Sequence, residues 1–199
     1  MSPLSPVAAG VLCALAMVGL SWVVNRGLLR TPLAWRLLPA AVTAASVFLL
    51  AVVAEVLVNS AYESLIGHPL WSYRVLPRHE GDVSMLGPLI WPAYGLHLYM
   101  TEQSLRRRGR PLMAVINGID APLIFEVGGN LLFIALAGEF YAYYLPGDLG
   151  HLTSLQVVPI YMLSILVGYF VLDALRAQAR SWWWPAGLYG LGLLVVFSG

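Results

Sequence analysis

Six stretches of this chain stay apolar over the length of a membrane helix, and the polar residues gather between them. The stretches cover about 7–24, 38–62, 84–101, 112–137, 154–175 and 183–198. A bilayer core takes roughly 20 apolar residues per helix, so each run predicts a span. A transmembrane barrel would instead alternate apolar and polar positions over segments of about ten residues. These runs are apolar on all sides, which predicts an all-α polytopic bundle of about six helices in a single integral membrane domain, 1–199. No basic region precedes the first run, so it reads as a retained span rather than a cleaved leader. Trp182, Trp183 and Trp184 with Pro185 open the last run as an interfacial anchor.

Composition supports the pattern. Hydrophobic residues make up 59% of the 199 and charged ones 11%, against about 25% charged in soluble domains. A chain this small has no core able to hide so much apolar surface. That excludes a soluble enzyme, a disordered protein and a nucleic-acid binder. All 11 basic residues are arginine and lysine is absent, so a retinal Schiff base is impossible. The single cysteine, Cys13, excludes an intrachain disulfide and a sulfur-rich metal site. The four scattered histidines lack the close spacing of a di-iron centre, and no Walker-type loop occurs. No metal and no cofactor are therefore expected.

Charge then predicts topology. Arg26, Arg30, Arg36, Arg106, Arg107, Arg108, Arg110, Arg176 and Arg180 fall in the odd-numbered connections, and only Arg74 and Arg78 in the even ones. Positive residues stay on the cytoplasmic side. Both termini are thus expected outside, in a membrane of the bacterial inner type.

Comparing the chain with itself suggests a duplication. Glu55 is followed by Asn59 four residues on and Gly67 twelve on, and Glu126 by Asn130 and Gly138 at the same spacings. An aromatic segment follows each glycine: Leu70-Trp71-Ser72-Tyr73 and Phe140-Tyr141-Ala142-Tyr143. A proline (Pro77, Pro146) and a Gly-Asp pair (Gly81-Asp82, Gly147-Asp148) come next. The units would cover about 38–104 and 112–176, with 7–24 and 183–198 flanking, as parallel repeats about an axis along the membrane normal.

Glu55 and Glu126 carry the candidate chemistry. A carboxylate inside an apolar helix costs a few kcal/mol and faces a cavity or a partner. Spacing of four puts Glu55, Asn59 and Glu63 on one stripe and Glu126 with Asn130 on another. Two carboxyls in one low-dielectric pocket cannot both ionise cheaply, so one holds a proton for acid–base work. Glu55, Glu126 and Glu63 are the expected catalytic groups. Asn59, Asn130, His68, Trp71, Tyr73, Trp91, Glu139 and Tyr143 are the expected substrate contacts, with Tyr141 and Tyr144 further rings for stacking. The competing reading is that Glu–Asn pairs glue helices together and that the rings form an interfacial belt. Asp173 with Arg176 reads as a structural ion pair, Asp120 as part of a kink at Pro122, and His97 as a packed, hydrogen-bonded histidine.

One stretch resembles a known family. Glu55, Glu63, Gly67, Trp71, Tyr73, Pro77, Gly81, Trp91 and Gly95 are spaced as in small bacterial membrane proteins described as type IV ABC-transporter permeases. The chain departs from that pattern at Ser72, where the family has aspartate, and at Arg74, where it has a small hydroxyl residue. Asn25-Arg26-Gly27, Gly87-Pro88 and Pro92-Ala93-Tyr94-Gly95 match the family's other motif in pieces. A looser similarity links the chain to membrane carotenoid hydratases and small lycopene cyclases, which implies protonation of an isoprenoid double bond by a buried acid. The expected function is an acid–base enzyme acting on a membrane lipid or isoprenoid. The alternatives are a permease-like subunit or small proton-coupled transporter, and a structural subunit. The expected partners are the lipid substrate and a second copy or a larger membrane complex, with no nucleic acid.

Overall fold

In the computed structural model, which describes residues 3–198, six helical rods follow one another: α1 (Pro6–Leu28), α2 (Leu37–Ile66), α3 (Gly87–Leu105), α4 (Arg110–Ala137), α5 (Val157–Gln178) and α6 (Trp183–Phe197). Four of them, α1, α2, α4 and α5, are long and apolar enough to cross a membrane, which marks a membrane protein. α3 has 19 residues but carries His97, Thr101 and Glu102, and α6 has only 15. Large side chains such as Leu57, Leu163, Phe170 and Leu194 point outward from the rods, each more than 60% exposed. In water that belt would be unstable. Against hydrocarbon it is the natural outer surface.

α2 packs on α3 and α6, α4 on α5, and α1 on α3. Small residues set the closest seams. A Cβ at Gly95 would stand 2.7 Å from the Ala44 Cα, so α3 and α2 touch backbone to backbone there. Gly118 of α4 lies equally tight against Met162 of α5. Such contacts replace the hydrophobic drive that lipid cannot supply.

Two rods are irregular. α1 ends in a π-helical turn, Val23–Leu28, and α4 contains another, Ala121–Glu126. Pro122 accounts for the second, because its ring removes an N–H and crowds the preceding turn.

The chain is not purely helical. Beyond α2 and α4 it forms short strands, β1 (Trp71–Tyr73), β2 (Pro77–Arg78), β3 (Val83–Ser84) and β4 (Ala142–Tyr144). β1 pairs with β4 and β2 with β3, both antiparallel. The expectation of an all-α chain is corrected to that extent; strands of two or three residues are too short to show a period. The strand end of the bundle is thereby roofed, and the arginine-rich connections lie at the opposite end.

Candidate functional site

The roof hangs on two asparagines. α2 and α4 end in the same way, with Gly67 and Gly138 in left-handed conformation (φ 89° and 82°), where a side chain would be strained. The chain then doubles back over the last turns of its own helix, and its unpaired backbone groups need partners. Asn59 supplies them: its Oδ1 accepts from the N–H groups of Leu70 (2.8 Å) and Trp71 (3.2 Å), and its Nδ2 donates to the Trp71 carbonyl (3.0 Å) and Asp82 Oδ1 (2.5 Å). Asn130 does the same for the second loop. Its Oδ1 accepts from Tyr141 (3.0 Å) and Ala142 (3.1 Å), and its Nδ2 donates to the Leu152 carbonyl (2.7 Å).

Adding 71 to the numbers Glu55, Asn59, Gly67 and Tyr73 gives Glu126, Asn130, Gly138 and Tyr144. The same offset carries β1 onto β4, and these two strands pair with each other: Trp71 with Tyr144, Ser72 with Tyr143, Tyr73 with Ala142. The register is symmetric about the Ser72–Tyr143 rung. Alternation along a strand turns Trp71, Tyr73, Ala142 and Tyr144 inward, all four buried, and leaves Ser72 and Tyr143 on the outer face.

The inward tyrosines meet the carboxyls. The Tyr73 hydroxyl bonds to Glu55 Oε1, while Glu55 Oε2 is buried without a hydrogen-bond partner beside the Trp91 indole. Glu126 is better supplied. Its Oε2 accepts from the Thr153 hydroxyl, its Oε1 from the Tyr161 hydroxyl at 2.5 Å, and the Tyr144 hydroxyl stands beside it. Burial holds the Tyr73 and Tyr144 hydroxyls well above the ordinary tyrosine range, so both remain donors throughout the physiological pH range.

Each carboxyl borders a hollow. Glu126 faces a cavity of about 280 Å³ and Glu55 one of about 130 Å³. Tyr73, Trp91, Tyr94, Tyr144 and Tyr161 belong to the walls of both. The two acids therefore occupy adjoining chambers with an aromatic partition rather than the single hollow that the paired spacing suggests. The larger chamber is lined by Leu20 of α1 and Ile124 of α4, which are 46% and 50% exposed on the apolar flank. Gly128, between them and the roof, leaves open space where a Cβ would stand.

Of the residues picked out from sequence, Glu55, Glu126, Asn59, Asn130, Trp71, Tyr73 and Trp91 come together here. Four do not. Glu63 and Glu139 are exposed at the helix ends. His68 bonds to the Pro69 carbonyl and lies against Tyr62. Tyr143 is on the outer face, stacked on His151 at 4.3 Å with the Arg74 guanidinium 4.9 Å from its ring centre. Thr153, in the loop before α5, and Tyr161 went unread because an isolated hydroxyl has no sequence signature, and Tyr94 was read only as part of Pro92-Ala93-Tyr94-Gly95. Tyr144 had one: it follows Glu126 by the same eighteen residues that separate Tyr73 from Glu55.

A second buried polar group lies toward the arginine-rich end. His97 Nδ1 is 2.7 Å from Ser21 Oγ, and Nε2 is 3.2 Å from Asp120 Oδ2 and 3.3 Å from Asn117 Oδ1. Beyond it, Arg176 pairs with Glu102 at 2.6 Å and Arg110 with Asp173. The Asp173–Arg176 pair expected from their spacing is thus replaced by tertiary partners. Among the described residues no group of three histidine, cysteine or acidic side chains converges as a metal site would require.

The chain matches no protein family, no curated protein and no solved structure. The likeness of residues 55–95 to permease-type proteins therefore rests on the motif alone.

Proposed function

We propose that the protein is a membrane enzyme that moves protons on a lipid-soluble substrate of the isoprenoid class, held in the larger chamber. Six spans with both termini outside carry it, and two duplicated hairpins bring the carboxyls together. The observation that carries this reading is the unequal supply of donors to two acids, Glu55 buried and Glu126 half-buried. Glu126 has a hydroxyl on each oxygen, which suits a carboxylate base. Glu55 has one oxygen tied to Tyr73 and the other unpartnered, which suits an acid that keeps its proton.

Tyr73 links the two, because it bonds to Glu55 and also lines the Glu126 chamber. In the proposed step the Tyr73 hydroxyl gives its proton to a substrate double bond and takes the Glu55 proton in exchange. Glu126 then removes a proton from a neighbouring carbon. The substrate gains one proton and loses one, so its composition and oxidation state are unchanged, and the reaction class is isomerisation or cyclisation. The apolar flank at Leu20 and Ile124 gives such a substrate a sideways entry from the bilayer.

The test is a comparison of total lipid extracts by mass spectrometry from cells carrying the wild type, Glu55→Gln or Glu126→Gln. An apolar compound formed by the wild type and lost with both variants is the expected result. Identical extracts from all three would sink the reading. A second reading, a small proton-coupled transporter, is favoured by the buried His97–Asp120 group, which continues the polar line toward the other end. It predicts proton flux in liposomes that both glutamine variants abolish.

A further inference from the structure

The smaller chamber has no part in the chemistry above beyond the one acid on its wall. It is a slot between α2 and α5, bordered by Trp91, Tyr94 and Leu98 of α3 and by Trp71 of the roof. Along α2 it runs from Val47 to Val58, and along α5 from Val157 to Leu172. At 1.5 Å of rise per helical residue those stretches give a length of roughly 16–22 Å. A volume of about 130 Å³ drawn out over that length fits one extended chain, and leaves no room for a fused ring system or a second tail.

The slot has its own way in from the bilayer. Leu50 of α2 is 37% exposed, Ser164 of α5 is exposed, and a Cβ on Gly168 would meet no neighbouring atom within 4 Å. Ala51 and Ala54 stand on the α2 side, so short side chains on both helices leave a seam on the apolar flank. The larger chamber opens elsewhere, past Leu20 of α1 and Ile124 of α4. A guest can therefore reach the smaller chamber without passing through the larger.

Its buried polar groups are nearly all engaged. The Tyr161 hydroxyl donates to Glu126 at 2.5 Å, the Tyr94 hydroxyl to the Asn117 carbonyl at 3.2 Å, and the Trp71 indole N–H to the Asp82 carbonyl at 3.0 Å. The Tyr169 hydroxyl accepts from Asn117 Nδ2 at 2.9 Å, and the Tyr73 hydroxyl bonds to Glu55 Oε1. Glu55 is the exception. It is 7% exposed, it lines this chamber and not the larger one, and its Oε2, beside the Trp91 indole, has no hydrogen-bond partner. A polar atom left unmatched among apolar walls is costly. A hydroxyl answers it in either protonation state, because it donates to a carboxylate and accepts from a carboxylic acid. A phosphate or carboxylate head would have to shed its water and would meet a second acid there. Glu55 lies toward the roof end of the slot, so the hydroxyl belongs under Trp71 and the tail runs toward the arginine-rich end.

We infer that the smaller chamber is a second lipid site, which takes a single-chain alcohol from the bilayer and hydrogen-bonds its hydroxyl to Glu55. The site needs only a narrow apolar slot and one polar anchor, so it goes beyond the proposed reaction and does not rest on it. The chain lies along Ala51 and Ala54 on one side and Ile165 and Gly168 on the other. The aromatic partition of Tyr73, Tyr144 and Tyr161 keeps it apart from whatever fills the larger chamber.

The experiment irradiates the full chain, in phosphatidylcholine nanodiscs, with a tetradecanol bearing a photoreactive diazirine in mid-chain, and maps the labelled residues by mass spectrometry. Labelling is expected to concentrate on the slot-lining residues of α2 and α5. Unlabelled tetradecanol should displace it roughly fivefold or more better than tetradecane, tetradecanoate or tetradecylamine. Glu55→Leu should erase that preference, and Glu55→Gln, whose amide both donates and accepts, should keep it. Gly168→Leu fills the slot and abolishes the labelling, whereas Gly128→Leu, in the larger chamber, leaves it intact. Labelling spread evenly over the lipid-facing residues is ordinary bilayer contact and overturns the site. Displacement by tetradecane or tetradecylamine as good as by tetradecanol overturns it too, as does labelling that survives in Gly168→Leu. The competition is read on the wild type, so it decides the claim even if Glu55→Leu fails to accumulate. Lipid extracts indifferent to both glutamine variants would remove the enzyme and leave this site standing, and evenly spread labelling would do the reverse.

Discussion

Ser72 and Tyr143 face each other at the middle rung of the β1–β4 ladder, 71 residues apart, and the same offset interchanges the two outer rungs, Trp71–Tyr144 and Tyr73–Ala142. A ladder of three rungs thus fixes two helices, two asparagine clamps and two acids at once. The site is assembled from its roof downward.

Asn59→Ala removes the four hydrogen bonds that Asn59 makes and Asn130→Ala removes three. Buried backbone groups left without partners are penalised by about 1–3 kcal/mol each. Each variant is expected to lose roughly 3 kcal/mol of stability, with Asn59→Ala the worse. Glu63→Ala, on the exposed side, leaves stability unchanged. Unfolding in mild detergent followed by circular dichroism checks the order; equal stability of all three would refute the clamp.

Tyr73→Phe and Tyr144→Phe keep the rings and delete the hydroxyls beside Glu55 and Glu126. Tyr73 is the proposed proton donor, and a general acid contributes about 10²–10⁴-fold, so Tyr73→Phe should cut product roughly hundredfold or more. Tyr144→Phe loses a hydrogen bond to the Glu126 carboxylate, worth about 1.5–3 kcal/mol, and should cut it roughly ten- to hundredfold. Folding should not suffer. Tyr143→Phe, outside the chambers, serves as the control and retains full product.

Gly128 and Gly95 should respond in opposite ways to a larger residue. Gly128→Leu enters open space beside the larger chamber, so the protein folds and product is lost because the substrate's path is narrowed. Gly95→Leu drives a side chain into the Ala44 backbone, which stands 2.7 Å from where its Cβ would be. That variant should fail to accumulate in membranes. A Gly128→Leu protein with undiminished product would show that entry lies elsewhere.

Asp82 gives a pH dependence. Burial raises its carboxyl above the usual value, against the Asn59 hydrogen bond that lowers it. A carboxyl raised in the folded state contributes stability that is complete below its unfolded value and is lost as pH climbs through the folded one. As pH climbs above about 4, the unfolded value, the wild type should therefore lose stability relative to Asp82→Asn, which keeps an acceptor for Asn59 without the charge. Melting curves across that range decide it, and a gap that is flat or grows with falling pH would count against the burial.

The helices could be read from the chain because continuous apolarity of this length has no other use. The clamps were legible too, as Glu-Asn-Gly spacings, although spacing alone did not reveal what an asparagine four residues beyond a buried acid is for. Glu63 was misplaced for a geometric reason. Eight residues along an α-helix turn a side chain roughly 80° away from the starting face, and Glu63 also lies at the end of α2, where its carboxylate is exposed. Arg110 displaced Arg176 as the partner of Asp173 because helix packing brings α4 closer to that carboxylate than the next turn of its own helix does. Thr153 and Tyr161 depend wholly on how α5 and the loop before it dock, which no local pattern encodes.

The partition of aromatic side chains has one more effect. Rings packed edge to face stop a hydrocarbon, yet their hydroxyls keep hydrogen-bonded contact on either side. A guest settling in one compartment drives water from the neighbouring acid. Because Tyr73, Tyr94, Tyr144 and Tyr161 line both compartments, a displacement of that screen by the guest would reach the far acid without anything crossing.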